Sequence, residues 1–347
     1  MIRNKDKGLM KGIRRFFIII EAFYSLFLIF LEVFRFVNPY WLPCVILSTF
    51  RFYLYIPVPI FLLSALIKRK FMRHLFAFVN LAFFIFFYGS LFVPKVQCDK
   101  DTGLSVMTFN IQHGSKGADG IIKYIKGEQP SVLALQEVKS NNPVVRQLKS
   151  LGYTFNHKPY FKNTNSGMII AVRKPFKLNR VLRKTYHEKG RWAYLFAEII
   201  LESEEALFND QFPSRFNILM PHLLPFGLDG NILSDVKGNL QKINRRTVWQ
   251  IQETKALMEL VQDFKDPTIM LGDFNSTHEQ QLHTEIVQHM QDAWLEKGFG
   301  YGGTRTFFLP LRIDFIYCTP HFNVCSAHRG PDLLSDHRPV SAQVLLK

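Results

Sequence analysis

The 347 residues carry 43 Lys/Arg against 28 Asp/Glu, a net charge of +15, and 34 of them are Phe. The excess is uneven: residues 1–94 hold 12 bases and 3 acids, leaving +6 for the rest, so the larger part lacks the strongly basic signature of a nucleic-acid-binding domain. Cys44, Cys98, Cys318 and Cys325 form no CxxC pair, and no Cys/His spacing suits a zinc site.

The chain opens with "MIRNKDKGLMKGIRR", six bases and one acid, followed by an apolar run from Phe16 to Phe34 broken by Glu21 and Glu32. That run is too long for a signal-peptide core, and more apolar segments follow it. A second run, Trp41 to Ile67, contains Arg51, Pro57 and Pro59. A third, Leu75 to Val93, is free of charge, and its 19 residues would make a helix of about 28 Å, one hydrocarbon thickness. Basic residues at the N-terminus and in "KRKFMRH" (Lys68–His74) place both on the cytoplasmic side by the positive-inside rule. Three spans then put everything after Val93 on the opposite, extracytoplasmic face. A charge inside a span is costly. Glu21 and Glu32, eleven residues apart, share a helical face that is expected to meet Arg51 within a small bundle; the alternative is that Arg51 lines a water defect or a re-entrant turn. The expected organisation is a membrane region over 1–94 and one soluble domain of ordinary size over 95–347.

From Leu104 onward, short apolar runs alternate with amphipathic stretches. The expected strands are Leu104–Asn110, Ser131–Glu137, Gly167–Arg173, Ala193–Leu201, Phe216–Leu223, Pro267–Asp273, Arg312–Cys318 and Pro339–Leu346. Helices are expected near Asp119–Lys126, Pro143–Leu151, Leu240–Asp263 and Glu279–His289. The alternation argues for a layered α/β domain. The segment "CTPHFNVC" could bring Cys318 and Cys325 together across a hairpin; buried free thiols are expected, and this is the pair to test for a disulfide.

Several of these runs end in residues able to bind a metal or a phosphate: Asn110, Glu137, His222, Asp273 with Asn275, and Asp314, with Asp336 and His337 just before the last strand. Sites in layered folds form where strand ends converge. Oxygen ligands without thiols suit Mg²⁺, Mn²⁺ or Ca²⁺. Each residue alone also fits a turn, a cap or a core position.

Together, "TFNIQHG", "LALQEV", "MPHL", "LGDFNS", "RIDFIY" and "SDHRPV" resemble, in this order, the blocks of the endonuclease/exonuclease/phosphatase (deoxyribonuclease-I-like) superfamily. The resemblance spans Leu104 to Leu346. It implies a four-layer α/β sandwich, two mixed β-sheets flanked by helices, and metal-dependent cleavage of phosphate esters. It further implies Glu137 as principal metal ligand, with Asn110 beside it and Asp336 nearby. Asp273 would activate water, Asn275 would donate to a phosphate oxygen, and His337 would stabilise the transition state, oriented by Asp314. His222 would act as a second acid or phosphate ligand, as in secreted deoxyribonucleases and bacterial sphingomyelinases. Arg191 and Trp192, and Arg245, Arg246 and Trp249 beyond the long loop after His222, are weaker substrate-contact candidates; a solvated basic helix face suits the last three better. The function implied is a membrane-anchored phosphodiesterase acting on nucleic acid or a phospholipid head group. A phosphomonoesterase on a small sugar or inositol phosphate and a catalytically silent binding domain are the alternatives.

Overall fold

The computed structural model describes residues 2–68, 74–98, 103–114, 117–160, 164–186, 193–202, 212–225, 235–306, 309–333 and 335–347. The chain forms two compact units, Met1–Val93 and Pro94–Lys347.

The first unit contains α1 (Ile2–Val37), α2 (Leu42–Thr49), α3 (Arg51–Leu54), α4 (Val58–Lys68) and α5 (Leu75–Tyr88). Two of its stretches, Arg15–Val37 and Leu75–Phe92, are long and apolar enough to cross a membrane. The middle run is bent by 79° between Leu42–Thr49 and Arg51–Leu63, and makes a third span only if the bent pair counts as one. Large apolar side chains such as Phe23, Phe36, Ile60 and Phe86 are exposed, while the polar groups turn inward. Arg51 donates from Nε and Nη2 to the two oxygens of Glu32 at 2.7 and 2.5 Å, and Tyr55 Oη donates to Glu32 Oε1 at 2.8 Å. The Arg51 guanidinium also lies 3.7 Å from the centroid of the Phe87 ring. Glu21 departs from expectation. It pairs with His74 Nδ1 at the N-cap of α5, while Arg51, just past the break after α2, meets Glu32.

The second unit holds two mixed six-stranded sheets. The strands are β1 (Leu104–Asn110), β2 (Val132–Lys139), β3 (Tyr153–Pro159), β4 (Ser166–Arg173), β5 (Phe176–Thr185), β6 (Ala193–Leu201), β7 (Arg215–Pro221), β8 (Thr268–Asp273), β9 (Gln291–Asp292), β10 (Asp314–Cys318), β11 (Phe322–Arg329) and β12 (Val340–Leu346). The first sheet runs β11-β12-β1-β2-β4-β3 and the second β5-β6-β7-β8-β10-β9. Helices α6 (Asp119–Glu128) and α7 (Pro143–Ser150) cover the first; α8 (Val236–Asp263) and α9 (Gln281–Ile286) cover the second; the short α10 (Ala293–Lys297) follows β9. This is the α/β sandwich expected, four layers deep.

The two-residue period of a strand assigns the faces. On β1, Met107 and Phe109 join the cluster under α6 and α7, so Val106, Thr108 and Asn110 face the other sheet. On β8 and β10, Met270, Phe315 and Tyr317 pack toward α8 and α9, which turns Leu271, Asp273, Asp314 and Ile316 to the interior between the sheets. Asp273 and Asp314 are direct cross-strand partners.

The cysteine expectation needs correcting. Cys325 is disulfide-bonded to Cys98, and Cys318 remains a buried thiol. "CTPHFNVC" is no hairpin: Cys318 ends β10 in one sheet and Cys325 lies on β11 in the other. The chain leading into β1 runs beside β11 instead, and Cys98 N donates to Cys325 O at 3.2 Å. Lys95 Nζ donates to Leu295 O, and Lys297 Nζ to Val96 O at 2.5 Å, tying the same segment to α10.

Candidate functional site

The strand ends of both sheets meet at Asn110. Its Nδ2 donates to Glu137 Oε1 and to Asp273 Oδ2, each at 3.0 Å, and its Oδ1 accepts Gln112 N–H at 3.1 Å. One buried amide thus bridges a carboxylate of the first sheet and one of the second. Alternation along β2 would send Glu137 toward the helices. A register shift between Leu135 and Val138, with Glu137 at φ 53°, re-aims it into the cleft. Its backbone N–H, freed from the ladder, donates to Tyr160 Oη at 2.9 Å.

Asp273 is 1% exposed. Oδ1 accepts the N–H of Asn275 at 2.8 Å, a turn that the left-handed φ of 50° at Asn275 permits. The Asn275 amide donates to Leu223 O at 2.9 Å, so the loop after β8 is tied to the loop after β7. Gln250 on α8 reinforces the tie, its Nε2 donating to Leu224 O at 2.7 Å and Asn275 O at 3.1 Å.

Two histidines flank Asp273, each with Nε2 at 3.7 Å from Asp273 Oδ2, longer than a hydrogen bond. His337 is held through Nδ1 by Asp314 Oδ2 at 2.8 Å. Burial disfavours the imidazolium, but the carboxylates of Asp314 and Asp273, the hydrogen bond to Asp314 and the charge of Asp336 outweigh it and raise the pKa to about 9. His222 is held through Nδ1 by Tyr160 Oη at 2.7 Å. Burial pushes the Tyr160 phenol well above its ordinary value, so it stays neutral. The Tyr160 hydroxyl, accepting from Glu137 N–H, can donate its own proton to His222 Nδ1, an arrangement that sets the imidazole proton on Nε2, toward Asp273.

The two groups of possible ligands differ in what remains to offer. Asp273, Asp314 and His337 place their ligating atoms within 4.8 Å of one another. Their inner atoms are largely engaged, however, by Asn110, Asn275 and each other, which suits a proton relay. Glu137 is 30% exposed at its side chain and turns Oε2 outward, 3.7 Å from His113 Nε2. A carboxylate with one oxygen toward the cleft fits a hard divalent cation that keeps several waters and takes phosphate oxygens as further ligands.

Asp336 lies at the edge, its carboxylate 3.6 Å from Arg305 Nη2. On α8, Arg246 Nη1 donates to Pro225 O at 2.9 Å, and the Arg245 guanidinium sits 5.4 Å from the Trp249 ring centroid. Arg191, Trp192 and residues 226–234 of the long loop lie outside the described residues. Tyr160, His113 and Gln250 join the site beside the residues expected from the sequence. Tyr160 follows an edge strand with no apolar run to announce it, whereas His113 stands inside "TFNIQHG" and carried a visible signal.

The family described as Endonuclease/Exonuclease/phosphatase matches residues 107–337. No curated protein matches the chain. Among solved structures, a functionally unknown conserved protein from Enterococcus faecalis is 17% identical, with a TM-score of 0.55 over 70% of this chain and 100% of that one. An endonuclease/exonuclease/phosphatase from Bacteroides vulgatus is 18% identical, with a TM-score of 0.55 over 71% of this chain and 100% of that one. The human nocturnin catalytic domain with bound sulfate is 20% identical, with a TM-score of 0.54 over 73% and 96%. At such identities the likeness speaks for a common fold. With two thirds of its length matched by the family and every layer of the sandwich in place, the chain belongs to the endonuclease/exonuclease/phosphatase family.

Proposed function

We propose that this protein is a membrane-anchored, divalent-metal-dependent phosphodiesterase. The observation that carries the reading is the Asn110 bridge, which ties Glu137 and Asp273 into one constellation at 3.0 Å each. Glu137, with Asn110 beside it and Asp336 at the edge, would hold the cation, which when bound neutralises the scissile phosphate and the leaving oxygen. Asp273 accepts a proton from the attacking water, its carboxylate fixed by Asn110 and by the Asn275 N–H. Asn275 spends one amide hydrogen on Leu223 O and directs the other to a phosphate oxygen. His337, kept cationic by Asp314, donates from Nε2 to the oxygen on which charge develops. His222 donates from Nε2 as second acid, with Tyr160 fixing its tautomer.

The apolar stretches Arg15–Val37 and Leu75–Phe92 support an integral membrane protein, with the bent pair as third span. An odd number of spans and a cytoplasmic N-terminus put the catalytic domain outside the cytoplasm. The Cys98–Cys325 disulfide favours the same side, since such bonds persist in oxidising compartments. The short tether after Val93 favours a substrate at or near the membrane, a phospholipid head group ahead of nucleic acid.

The test is the full chain in lipid nanodiscs, with Mg²⁺ or Mn²⁺, against bis-p-nitrophenyl phosphate, p-nitrophenyl phosphate, plasmid DNA and phospholipid vesicles. Chelator-sensitive diester hydrolysis is expected, abolished by Glu137→Gln and strongly reduced by His222→Ala. Turnover of the monoester alone would make the protein a phosphomonoesterase. Absence of chelator-sensitive hydrolysis in every arm would overturn the enzymatic reading.

A further inference from the structure

Gln112, His113 and Gly114 follow one another at φ values of 45°, 59° and 62°. Left-handed conformations at two successive non-glycine residues need support from outside. Asn142 supplies it: its Nδ2 donates to His113 O at 2.6 Å, and its Oδ1 caps α7 by accepting Val144 N–H at 2.8 Å. A Cβ on Gly114 would lie 2.7 Å from Asn142 Nδ2, so only glycine lets the two segments approach. The turn closes with Gly114 N donating to Ile111 O at 2.7 Å.

This support fixes where the His113 ring points. Nδ1 is 3.3 Å from Ser166 Oγ, at the start of β4, and Nε2 is 3.7 Å from Glu137 Oε2. Ser166 Oγ stands where a metal-binding imidazole takes an outer hydrogen-bond acceptor on its far nitrogen. With the ring proton on Nδ1, Nε2 presents a lone pair to a carboxylate oxygen. An imidazole nitrogen and a carboxylate oxygen facing each other at this separation, beyond hydrogen-bond length, can share a cation as common ligands. Two donors each about 2.1 Å from a first-row ion stand roughly 3.0 Å apart at an octahedral angle and about 3.4 Å apart at a tetrahedral one, so the two atoms need only close slightly to share it.

We propose that His113 is a further metal ligand, binding through Nε2 the same divalent ion that Glu137 holds. Resting on the metal-dependent reading above, this makes the site selective for Mn²⁺, Co²⁺ or Zn²⁺ over Mg²⁺, because imidazole nitrogen suits these ions and adds little for magnesium. The turn from Gln112 to Gly114 then serves to present a nitrogen donor that an extended strand end could not aim at Glu137.

The test uses the full chain in nanodiscs with Mn²⁺ alone, read by electron paramagnetic resonance. Wild-type protein is expected to bind Mn²⁺ with a ¹⁴N modulation from a coordinated imidazole. His113→Gln should remove that modulation and weaken Mn²⁺ binding about 10-fold or more, while Mg²⁺ affinity, measured by competition, changes little. His222→Ala and His337→Ala should retain the modulation. Bound, Glu137-dependent Mn²⁺ with no nitrogen coupling, or coupling that survives His113→Gln, would overturn this inference and leave the hydrolase reading standing. Failure to bind any divalent ion would overturn both. Thermal midpoints in chelator, equal for wild type and variant, separate lost ligation from misfolding.

Discussion

Glu253 is the clearest place to test the energetics behind the site. It sits on α8 at 3% exposure, and its Oε2 accepts the N–H of Leu224, two residues beyond His222, at 3.3 Å. Burial raises its pKa from 4.5 to about 8, with the Leu224 hydrogen bond opposing the rise. Between those values the unfolded chain has lost the proton that the folded chain retains, so stability falls as pH rises and the full penalty is present above about pH 8. Each pH unit in that window costs about 1.4 kcal/mol. The penalty is therefore about 3 kcal/mol at pH 7 and about 5 kcal/mol above pH 8. Glu253→Gln removes the ionisation and keeps an oxygen for Leu224 N–H. For a domain of this size about 3 kcal/mol corresponds to a midpoint shift of roughly 6–12 °C. Thermal unfolding of the full chain in detergent should show the variant more stable than wild type by that margin at pH 7 and nearly equal at pH 5. A gain of the same size at both pH values, or none at pH 8, would refute the claim that Glu253 is buried as a neutral acid.

Four further outcomes are expected. Turnover should hold below about pH 9 and fall as the His337 imidazolium deprotonates; Asp314→Asn should move that limb to lower pH and cut kcat by about 10²–10⁴, read from kcat–pH profiles. In the first unit, Glu32→Gln strands the Arg51 guanidinium among apolar groups and should cost about 3–5 kcal/mol, seen as a lower thermal midpoint in detergent. The Glu32→Leu/Arg51→Leu double variant should recover most of that loss. Maleimide added to the chain in SDS without reductant should label two cysteines, Cys44 and Cys318, and all four after reduction. A C-terminal topology reporter should act outside the cytoplasm.

The fold was legible where strands are buried on both faces. The eight strands expected from apolar runs are β1, β2, β4, β6, β7, β8, β10 and β12, the interior strands of the two sheets. Between a second sheet and a helical layer they read as unbroken hydrophobic segments. The four strands that sequence reasoning passed over, β3, β5, β9 and β11, are the four edges. "YTFNHKP" and "FKLNRVLRKT" carry amides and charges that protect an open ladder from pairing with another chain, and they leave no period-two signal. The same blindness explains the cysteines, since placing Cys325 required knowing that β11 exists and that it belongs to the other sheet.

At the site, identity was readable and aim was not. A polar residue at the end of an apolar strand, closing it as Asn110 and Asp273 do or opening it as Asp314 does, stands out by chemistry, and the strand period turns it toward the interior between the sheets. Glu137 breaks that period: regular pairing would bury its carboxylate under the helices, and only the bulge with its positive φ delivers it to the cleft. The left-handed turn at Gln112–Gly114 and the Tyr160 hydroxyl on His222 are departures of the same kind, invisible to periodicity because they violate it. Such violations are where a fold gives up local preference for a geometry it could not otherwise hold. Three of these departures meet at Glu137, whose backbone N–H, side chain and nearest imidazole are each placed by one of them. That convergence argues that these three departures serve to hold the Glu137 carboxylate in position.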